Sequence, residues 1–484
     1  MQRYTIISFL FFFTFFIHSQ NTVQREIDNF FNDKININSS ISFIAFDLEK
    51  EEVVAKLNEN KSLTSASTAK LFSTSTAFEL LGSNYSTQTR IYYDGFIDKD
   101  SVLNGNIWIR GGGDVSLGSK YFNASKTELD FLNAWVDSLK NRGINRITGA
   151  VIADGSEFGY NGAPEGWSWG DVGNYYGATA SGINVFDNQI LLYFKMGKAG
   201  SLSQITDIFP VVPGLKMRNE VYAAAVSGDD SYIYGAPFSF DRLVKGKLPQ
   251  YNERFVVKGS MPDPEFQLAH EFTAVLIKKG IDVALKPKSF RLLDVELPNA
   301  YEKINLLFSQ PSKTVKEIAF WTNLKSVNLF AEGLLNQLGY LKTGNGSTES
   351  SLKVLESFWS NKIDFKGMIL KDGSGLSRSN AISANHFCQL LTYMYKSSNF
   401  NDFKETLPVA GKTGTIASLC KGQTGEGRIF AKSGTISKVK AYAGYVYSKS
   451  GKKLAFSISI NNYNGSSADL QQKIEKILNA LASY

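Results

Sequence analysis

Apolar residues recur at helical spacing in three stretches of the chain, and each repeat predicts a helix. One stretch lies near the amino terminus, one follows a serine-rich segment, and one ends the chain. Their apolar positions are Val23, Ile27 and Phe30; Leu71, Ala77, Phe78 and Leu81, with Gly82 as a stop; and Leu470, Ile474, Ile477, Leu478 and Leu481.

Two pairs of β-prone runs predict hairpins, one near each end of the chain. The first pair covers 41–48 and 53–57, and the second covers 441–447 and 454–461. Since helix and hairpin open the chain and hairpin and helix close it, the simplest fold is α/β (α+β). In this fold both ends contribute to one antiparallel sheet flanked by helices.

The middle of the chain, residues 85–300, is rich in β-prone residues, turns and glycine. It includes a predicted strand over 107–110, a helix over 272–280 and a strand over 281–285. A helical pattern returns from 318 to 338. Because no low-complexity linker bounds 85–300, we interpret it as a large β-rich insertion of two small subdomains.

The amino terminus has one basic residue, then an apolar run over 6–17, then three polar residues. This pattern predicts a signal peptide over 1–19, too short for a comfortable membrane span. We therefore expect an exported, periplasmic protein with no stable membrane span. An uncleaved anchor is the alternative.

Composition narrows the chemistry. The net charge is +7 over 484 residues, but the basic residues are scattered and predict no nucleic-acid binding. Cys388 and Cys420 leave their pairing open. His270 and His386 stand alone without metal-ligand spacing, so neither a metal nor a Ser-His-Asp triad is expected. A serine enzyme built from this chain needs another base.

The stretch Thr64–Gly82 supplies a serine and such a base. Ser67 precedes Lys70 by three residues, and positions three apart on a helix share a face. An amine that loses its proton on burial can activate a serine hydroxyl. Alone, this spacing also fits an ordinary Ser/Thr-rich helix start.

Two further motifs follow in order, Ser326-Val327-Asn328 and Lys432-Ser433-Gly434. Ser-x-x-Lys, Ser-x-Asn and Lys-Thr/Ser-Gly in this order resemble the penicillin-binding proteins and serine β-lactamases. Stretches reading GGGD, YYGA, DGSGLSR and LPVAG narrow the resemblance to the D-alanyl-D-alanine carboxypeptidase/endopeptidases of peptidase family S13. The resemblance implies a transpeptidase-like catalytic domain over 20–84 and 301–484, interrupted by the accessory region 85–300.

Lys412-Thr413-Gly414 fits the third motif more literally. A catalytic lysine of this motif should lie on a strand that continues into the sheet. Lys432 is followed by the 441–461 hairpin, whereas Lys412 is followed by a loop-like, glycine-rich stretch. We therefore predict that Lys432 is the catalytic lysine.

The resemblance implies the roles of the catalytic residues and no cofactor. Ser67 is the nucleophile and Lys70 its base, Ser326 relays a proton, and Asn328 orients Lys70 and the substrate amide. Lys432, Ser433, Gly434 and Thr435 hold the substrate's terminal carboxylate, and backbone N–H groups of Ser67 and Thr435 form an oxyanion hole.

The expected partners are peptidoglycan stem peptides and, as covalent inhibitors, β-lactams. Trp169, Asp171 and Tyr176 either bind the far end of the stem peptide or are plain packing. Two other functions remain open at this point. A serine β-lactamase shares the motifs but lacks a long insertion, and an inactive peptidoglycan-binding protein would keep the fold without the chemistry.

Overall fold

The computed structural model describes residues 22–123, 127–160, 162–293, 301 and 304–484. The predicted signal peptide lies outside them. The chain packs into two compact units. The first unit contains the described residues of Met1–Ser83 with Ala319–Val327 and Leu355–Tyr484, and the second contains Asn84–Ile318 and Asn328–Val354. The predicted domain boundaries and subdomains stay a prediction.

The helices of the described residues are α1 (22–31), α2 (Lys70–Leu81), α3 (Asp130–Asn141), α4 (Trp169–Val172), α5 (Pro264–Lys278), α6 (Val315–Leu324), α7 (Asn328–Thr343), α8 (Thr348–Trp359), α9 (Ala384–Lys396), α10 (Phe400–Glu405) and α11 (Ser467–Ser483). The strands are β1 (Ser40–Asp47), β2 (Glu52–Leu57), β3 (Gln88–Tyr93), β4 (Phe96–Ile97), β5 (Val102–Asn104), β6 (Ile107–Arg110), β7 (Arg146–Ile147), β8 (Val151–Asp154), β9 (Gln189–Lys195), β10 (Gln204–Phe209), β11 (Lys216–Ala224), β12 (Asp230–Tyr234), β13 (Asp241–Pro249), β14 (Phe255–Ser260), β15 (Asp282–Val283), β16 (Lys288–Ser289), β17 (Asn305–Pro311), β18 (Ile429–Ile436), β19 (Val439–Tyr447) and β20 (Lys453–Asn461).

The first unit is organised around a five-stranded sheet in the order β18-β19-β20-β1-β2, with every neighbouring pair antiparallel. Strand β1 pairs with β20 along its whole length, from Ser40 opposite Asn461 to Asp47 opposite Leu454. The fold class is therefore confirmed, and so is the sheet that joins the two ends of the chain.

Both faces of this sheet are covered. Phe43 and Phe456 face a cluster that contains the apolar residues of α1 and α11. On the other face, the Ala384 N–H of α9 donates to Ser42 Oγ (3.0 Å), and the Tyr445 hydroxyl donates to the carbonyl of Leu391 (2.8 Å). Burial on both faces explains why β20 is a nearly continuous apolar run.

Helix α2 is buried along its first nine residues, Lys70 to Phe78, not along one stripe as a surface helix would be. Its hydroxyl groups lie inside the unit and are hydrogen-bonded, which removes the cost of their burial. The Thr76 hydroxyl donates to the carbonyl of Phe72 and accepts from the Trp359 indole N–H at 2.8 Å. The serines and threonines therefore tie α2 to its neighbours.

The second unit contains the predicted β-rich region. Its sheets run β10-β9-β14, β11-β13-β12, β15-β7-β5-β4 and β16-β8-β6-β3-β17. Helices α3 and α5 meet in its core, where Trp135 packs edge-on against Phe272 at 5.4 Å between centroids. Helix α5 begins earlier than predicted because Asp263 caps it, accepting from the Phe266 N–H at 2.9 Å. The predicted 281–285 strand shortens to β15.

Candidate active site

Ser67 lies in a short 3₁₀ turn, Ala66–Ala69, that leads directly into α2. The α-helix itself begins at Lys70, so the serine precedes it by one turn. Lys70 is fully buried and its Nζ lies 3.0 Å from Ser67 Oγ, the neighbour relation that the three-residue spacing predicts. Ala66 has a φ of 46°, a left-handed conformation that is costly for alanine. The turn therefore presents a half-buried hydroxyl beside a buried amine.

A second contact to Lys70 comes from the loop that follows Leu370. Lys70 Nζ donates to the carbonyl of Ser374 at 2.6 Å, and Ser73 Oγ donates to the carbonyl of Gly373 at 2.7 Å. At Gly375, where φ is 80°, a Cβ would lie 1.9 Å from the carbonyl oxygen of Ala66. Only glycine allows this loop to approach the serine turn so closely.

Asp372 holds that loop in shape. Its Oδ1 accepts from the Gly375 N–H at 2.8 Å and from Asn380 Nδ2 at 2.8 Å, and its Oδ2 accepts from the Ser377 N–H at 2.6 Å. The sequence marked this stretch only as a polar, glycine-rich loop. Its contact with Lys70 joins positions 304 residues apart, so no local pattern could reveal it.

Lys432 lies on β18 and is fully buried. Its Nζ donates to Ser326 Oγ at 3.0 Å and to the carbonyl of Ser433 at 2.7 Å. Burial lowers the pKa of Lys432 well below that of an ordinary lysine, and the charge of Lys70 lowers it further. The first unit therefore contains two buried amines, those of Lys70 and Lys432, together with the Ser67 hydroxyl. The charges of the two amines repel each other.

Strand β18 also approaches the serine turn at Gly434. A Cβ there would lie 2.7 Å from the carbonyl oxygen of Ser65 and 3.1 Å from the Ser67 nitrogen. Ser433 is half-buried and donates its hydroxyl to Thr415 Oγ1 at 2.7 Å, while Thr435 is exposed. Thr415 is a polar contact of this strand that sequence reasoning did not single out.

The prediction of a continuous helical segment from 318 to 338 is wrong at Ser326. Helix α6 ends at Leu324 and α7 begins at Asn328, and between them Ser326 adopts a φ of 60°. A left-handed serine breaks the helical path and leaves its hydroxyl to accept from Lys432. The second motif is therefore a junction between helices rather than part of one.

Lys412 lies in a turn before the 3₁₀ turn Gly414–Ile416, outside any strand. Its side chain is 58% exposed and pairs with Glu426 Oε1 at 2.5 Å. The same segment lies against β18, because Val409 forms a bridge with Phe430. The two lysines therefore lie in different environments. Lys412 forms an ion pair at the surface, whereas the Lys432 amine is buried.

The remaining predicted residues belong to the second unit. Trp169 begins α4 and is 60% exposed, and Tyr176 donates its hydroxyl to Asp171 Oδ1 at 3.2 Å. Burial and the neighbouring Asp171 raise the pKa of the Tyr176 phenol. Asn328, the first residue of α7, donates its Nδ2 to the carbonyl of Tyr176 at 2.7 Å. These contacts group Asp171, Tyr176 and Asn328.

The two histidines and the two cysteines of the described residues make packing and helix-cap contacts. His386 accepts the Ser383 N–H on its Nδ1 within a helix cap, and His270 stacks on Phe266. Cys388 and Cys420 are free buried thiols, and burial raises the pKa of each to about 12. Within the described ranges, no cluster of histidine, cysteine and acidic residues suits a metal ion, and no helix has the length and apolarity of a membrane span.

Comparisons with known proteins agree with these motifs. A family described as "D-Ala-D-Ala carboxypeptidase 3 (S13) family" matches residues 23–483. A D-alanyl-D-alanine carboxypeptidase DacB of Haemophilus influenzae is 27% identical over 457 residues, covering 92% of this chain and 89% of the relative. A D-alanyl-D-alanine carboxypeptidase of an Actinomadura species is 25% identical over 458 residues, covering 92% and 81%.

Solved structures show the same fold. The crystal structure of penicillin binding protein 4 from Haemophilus influenzae matches with a TM-score of 0.79 at 24% identity, covering 93% of this chain and 97% of that chain. The same protein complexed with a β-lactam matches with a TM-score of 0.71 at 22% identity, covering 92% and 95%.

Proposed function

Because the chain belongs to the D-Ala-D-Ala carboxypeptidase 3 (S13) family, we propose that it is a serine D,D-peptidase whose nucleophile is Ser67. It cleaves the terminal D-Ala-D-Ala bond of peptidoglycan stem peptides as a carboxypeptidase, and D-Ala-containing cross-links as an endopeptidase. The observation that carries the proposal is the Ser67 hydroxyl 3.0 Å from the buried Lys70 amine.

Acylation uses the two hydroxyl–amine pairs of the first unit. Neutral Lys70 accepts the Ser67 proton, and Ser67 Oγ attacks the carbonyl carbon of the penultimate D-Ala. The backbone N–H groups of Ser67 and Thr435 stabilise the oxyanion. Ser326, which accepts from Lys432 at 3.0 Å, relays a proton to the leaving D-Ala amine. Water then attacks the carbonyl carbon of the acyl-enzyme, Ser67 Oγ regains its proton, and the shortened peptide leaves with a free carboxylate.

The terminal carboxylate of the substrate is held by the third motif. Lys432, Ser433 and Thr435 offer an ammonium and two hydroxyls to it. Gly434 lets strand β18 lie close to Ser65 and Ser67. Asn328 is proposed to orient the substrate amide. A β-lactam carries a carboxylate next to a strained amide and acylates Ser67 in the same way.

The place of action follows from the substrate. Peptidoglycan lies outside the cytoplasmic membrane, so we propose that the chain is exported to the periplasm by the apolar leader over 1–19.

The two alternative functions, a serine β-lactamase and an inactive peptidoglycan-binding protein, make different predictions. A β-lactamase would release hydrolysed penicillin rapidly, and an inactive binding protein would form no adduct.

Muropeptide mass spectrometry tests the function. Purified protein is incubated with uncross-linked pentapeptide muropeptides and with cross-linked dimers, with Ser67→Ala as the control. We expect the pentapeptides to lose one D-Ala and the dimers to be cut, and no change with Ser67→Ala. A second incubation contains penicillin in place of muropeptides. If the protein releases hydrolysed penicillin but leaves the muropeptide masses unchanged, the chain is a β-lactamase.

Asp171, with Trp169 and Tyr176, is proposed to bind the free amine of a stem-peptide side chain. Asp171→Asn removes the carboxylate charge, which is worth about 1.5–3 kcal/mol to a charged partner. We expect kcat/KM to fall at least tenfold for a peptide with a free side-chain amine, and to change less than twofold for its N-acetylated counterpart. Equal losses for both peptides would assign Asp171 to packing. Asp282→Asn, an exposed acid elsewhere in the second unit, is the control.

A further inference from the structure

The second unit contains an open cavity of about 1000 Å³ beside the β11-β13-β12 sheet. Its lining includes two aromatic residues and four cationic ones: Trp169, Tyr234, Lys216, Arg218, Arg242 and Lys245. Apart from Trp169, none of them has a role in the proposed reaction. We call this the basic cavity.

The register of the sheet explains the composition of its lining. Lys216 lies opposite Asp241, while Leu243 lies between Arg218 and Tyr234 on the two neighbouring strands. Side chains two residues apart on a strand point to the same face. Lys216, Arg218, Lys245 and Tyr234 therefore share one face of the sheet with the acids Asp241 and Glu220.

Cations outnumber acids in the lining of the basic cavity. Asp241 is the only acid among its lining residues, against four cations. The Lys216 side chain is 81% exposed and lies 4.0 Å from Asp241, and the Arg218 side chain is 78% exposed and pairs with Glu220 at 2.6 Å. Such exposed ion pairs are weak and can exchange partners. The cavity therefore attracts anions.

Arg242 alternates to the other face of β13 from Lys245, but it also lines the cavity and adds a buried charge. It is only 3% exposed, and its Nη1 donates to the carbonyls of Ala236 (3.0 Å) and Ser239 (2.5 Å). Its Nε and Nη2 have no hydrogen-bond partner among the described residues. At Gly235 a Cβ would lie 2.4 Å from Nη1, so glycine is needed to hold the guanidinium there. Burial lowers its pKa to about 10, which leaves it protonated at neutral pH.

We propose that the basic cavity binds a carboxylate-bearing stem-peptide segment of peptidoglycan, beyond the bond that is cut. This inference rests on the proposed function, since it extends the same substrate. The carboxylates match the lysines and arginines, and the faces of Trp169 and Tyr234 suit apolar parts of the peptide. Trp169 links the basic cavity to the proposed side-chain pocket, because it belongs to both.

The test is binding of peptidoglycan by the Ser67→Ala protein, which does not consume the polymer. Three peptidoglycan probes are compared: native, with carboxylates amidated, and stripped of phosphate-linked polymers with hydrofluoric acid. The variant is Lys216→Glu/Arg218→Glu/Lys245→Glu. Its control, Lys278→Glu/Lys286→Glu/Lys288→Glu, makes the same charge change at exposed positions outside the cavity lining. Melting temperatures check folding, and Lys245→Glu against Lys286→Glu replaces the triple variants if either one melts early.

We expect the cavity variant to bind native peptidoglycan about tenfold more weakly, as the loss of three exposed ion pairs implies. The control should change less than twofold, amidation should abolish the difference, and stripping should have no effect. Equal losses in both variants, unchanged binding, or loss of binding after stripping would each overturn the proposal. Failure of Ser67 to react with penicillin would instead refute the proposed function and leave these binding results intact.

Discussion

Ser67→Ala is expected to eliminate covalent penicillin binding and to reduce D-Ala release by roughly six orders of magnitude, the loss typical of a serine nucleophile. The reason is geometric. Ser67 Oγ is the hydroxyl 3.0 Å from Lys70 Nζ, and alanine leaves that amine without an atom to deprotonate. The fold should survive, since the side chain is small and half-buried.

Intact-mass spectrometry after incubation with benzylpenicillin measures this effect. The unaltered protein should gain one penicilloyl group, and peptide mapping should place it on Ser67. Ser62→Ala, a nearby half-buried serine, should react like the unaltered protein. An adduct that persists in Ser67→Ala would refute the assignment of the nucleophile.

Lys432→Ala is expected to lower the second-order rate of acylation by penicillin at least tenfold, while Lys412→Ala leaves it nearly unchanged. Lys432 is buried and donates to Ser326, so its loss removes a charge-assisted contact of about 1.5–3 kcal/mol. At about 1.4 kcal/mol per tenfold, this gives the expected minimum. Lys412 forms an exposed pair with Glu426, a kind of contact worth about 0–1 kcal/mol.

The two lysines are matched controls for each other, because both belong to a Lys-Ser/Thr-Gly sequence. The rates are measured by stopped flow with one penicillin, and melting temperatures exclude unfolding. Lys432→Met, which keeps most of the volume without the charge, separates the electrostatic effect from the cavity that alanine leaves. A reversed order of the two lysines would mean that the third motif is Lys412-Thr413-Gly414.

The sequence alone predicted the parts of the site that depend on local spacing. Lys70 faces Ser67 because they are three residues apart, and Lys432 lies on a strand because a hairpin follows it. The sheet made from both ends could be predicted because four of its five strands carry clear β-prone patterns.

The parts that the sequence did not predict depend on contacts between distant residues. Helical periodicity does not show the break at Ser326, whose hydroxyl accepts from the Lys432 amine 106 positions away. The approach of Gly375 to Ala66 is likewise nonlocal. The apolar spacing of α2 predicts a helix but does not reveal that its serines and threonines are buried and hydrogen-bonded within the unit.

The pairing of β1 with β20 has a consequence for how the first unit is made. The hydrogen bond from Asn464 to Asn38 joins positions 426 residues apart, so a ribosome working at about 5–20 residues per second exposes β1 long before its partner exists. A two-stranded hairpin such as β1–β2 is marginal by itself. The sheet therefore forms only after β20 has been synthesised, at the slow rate that such distant contacts impose. Until then the serine turn has no strand β18 beside it, and the nascent chain carries its nucleophile in an unassembled form.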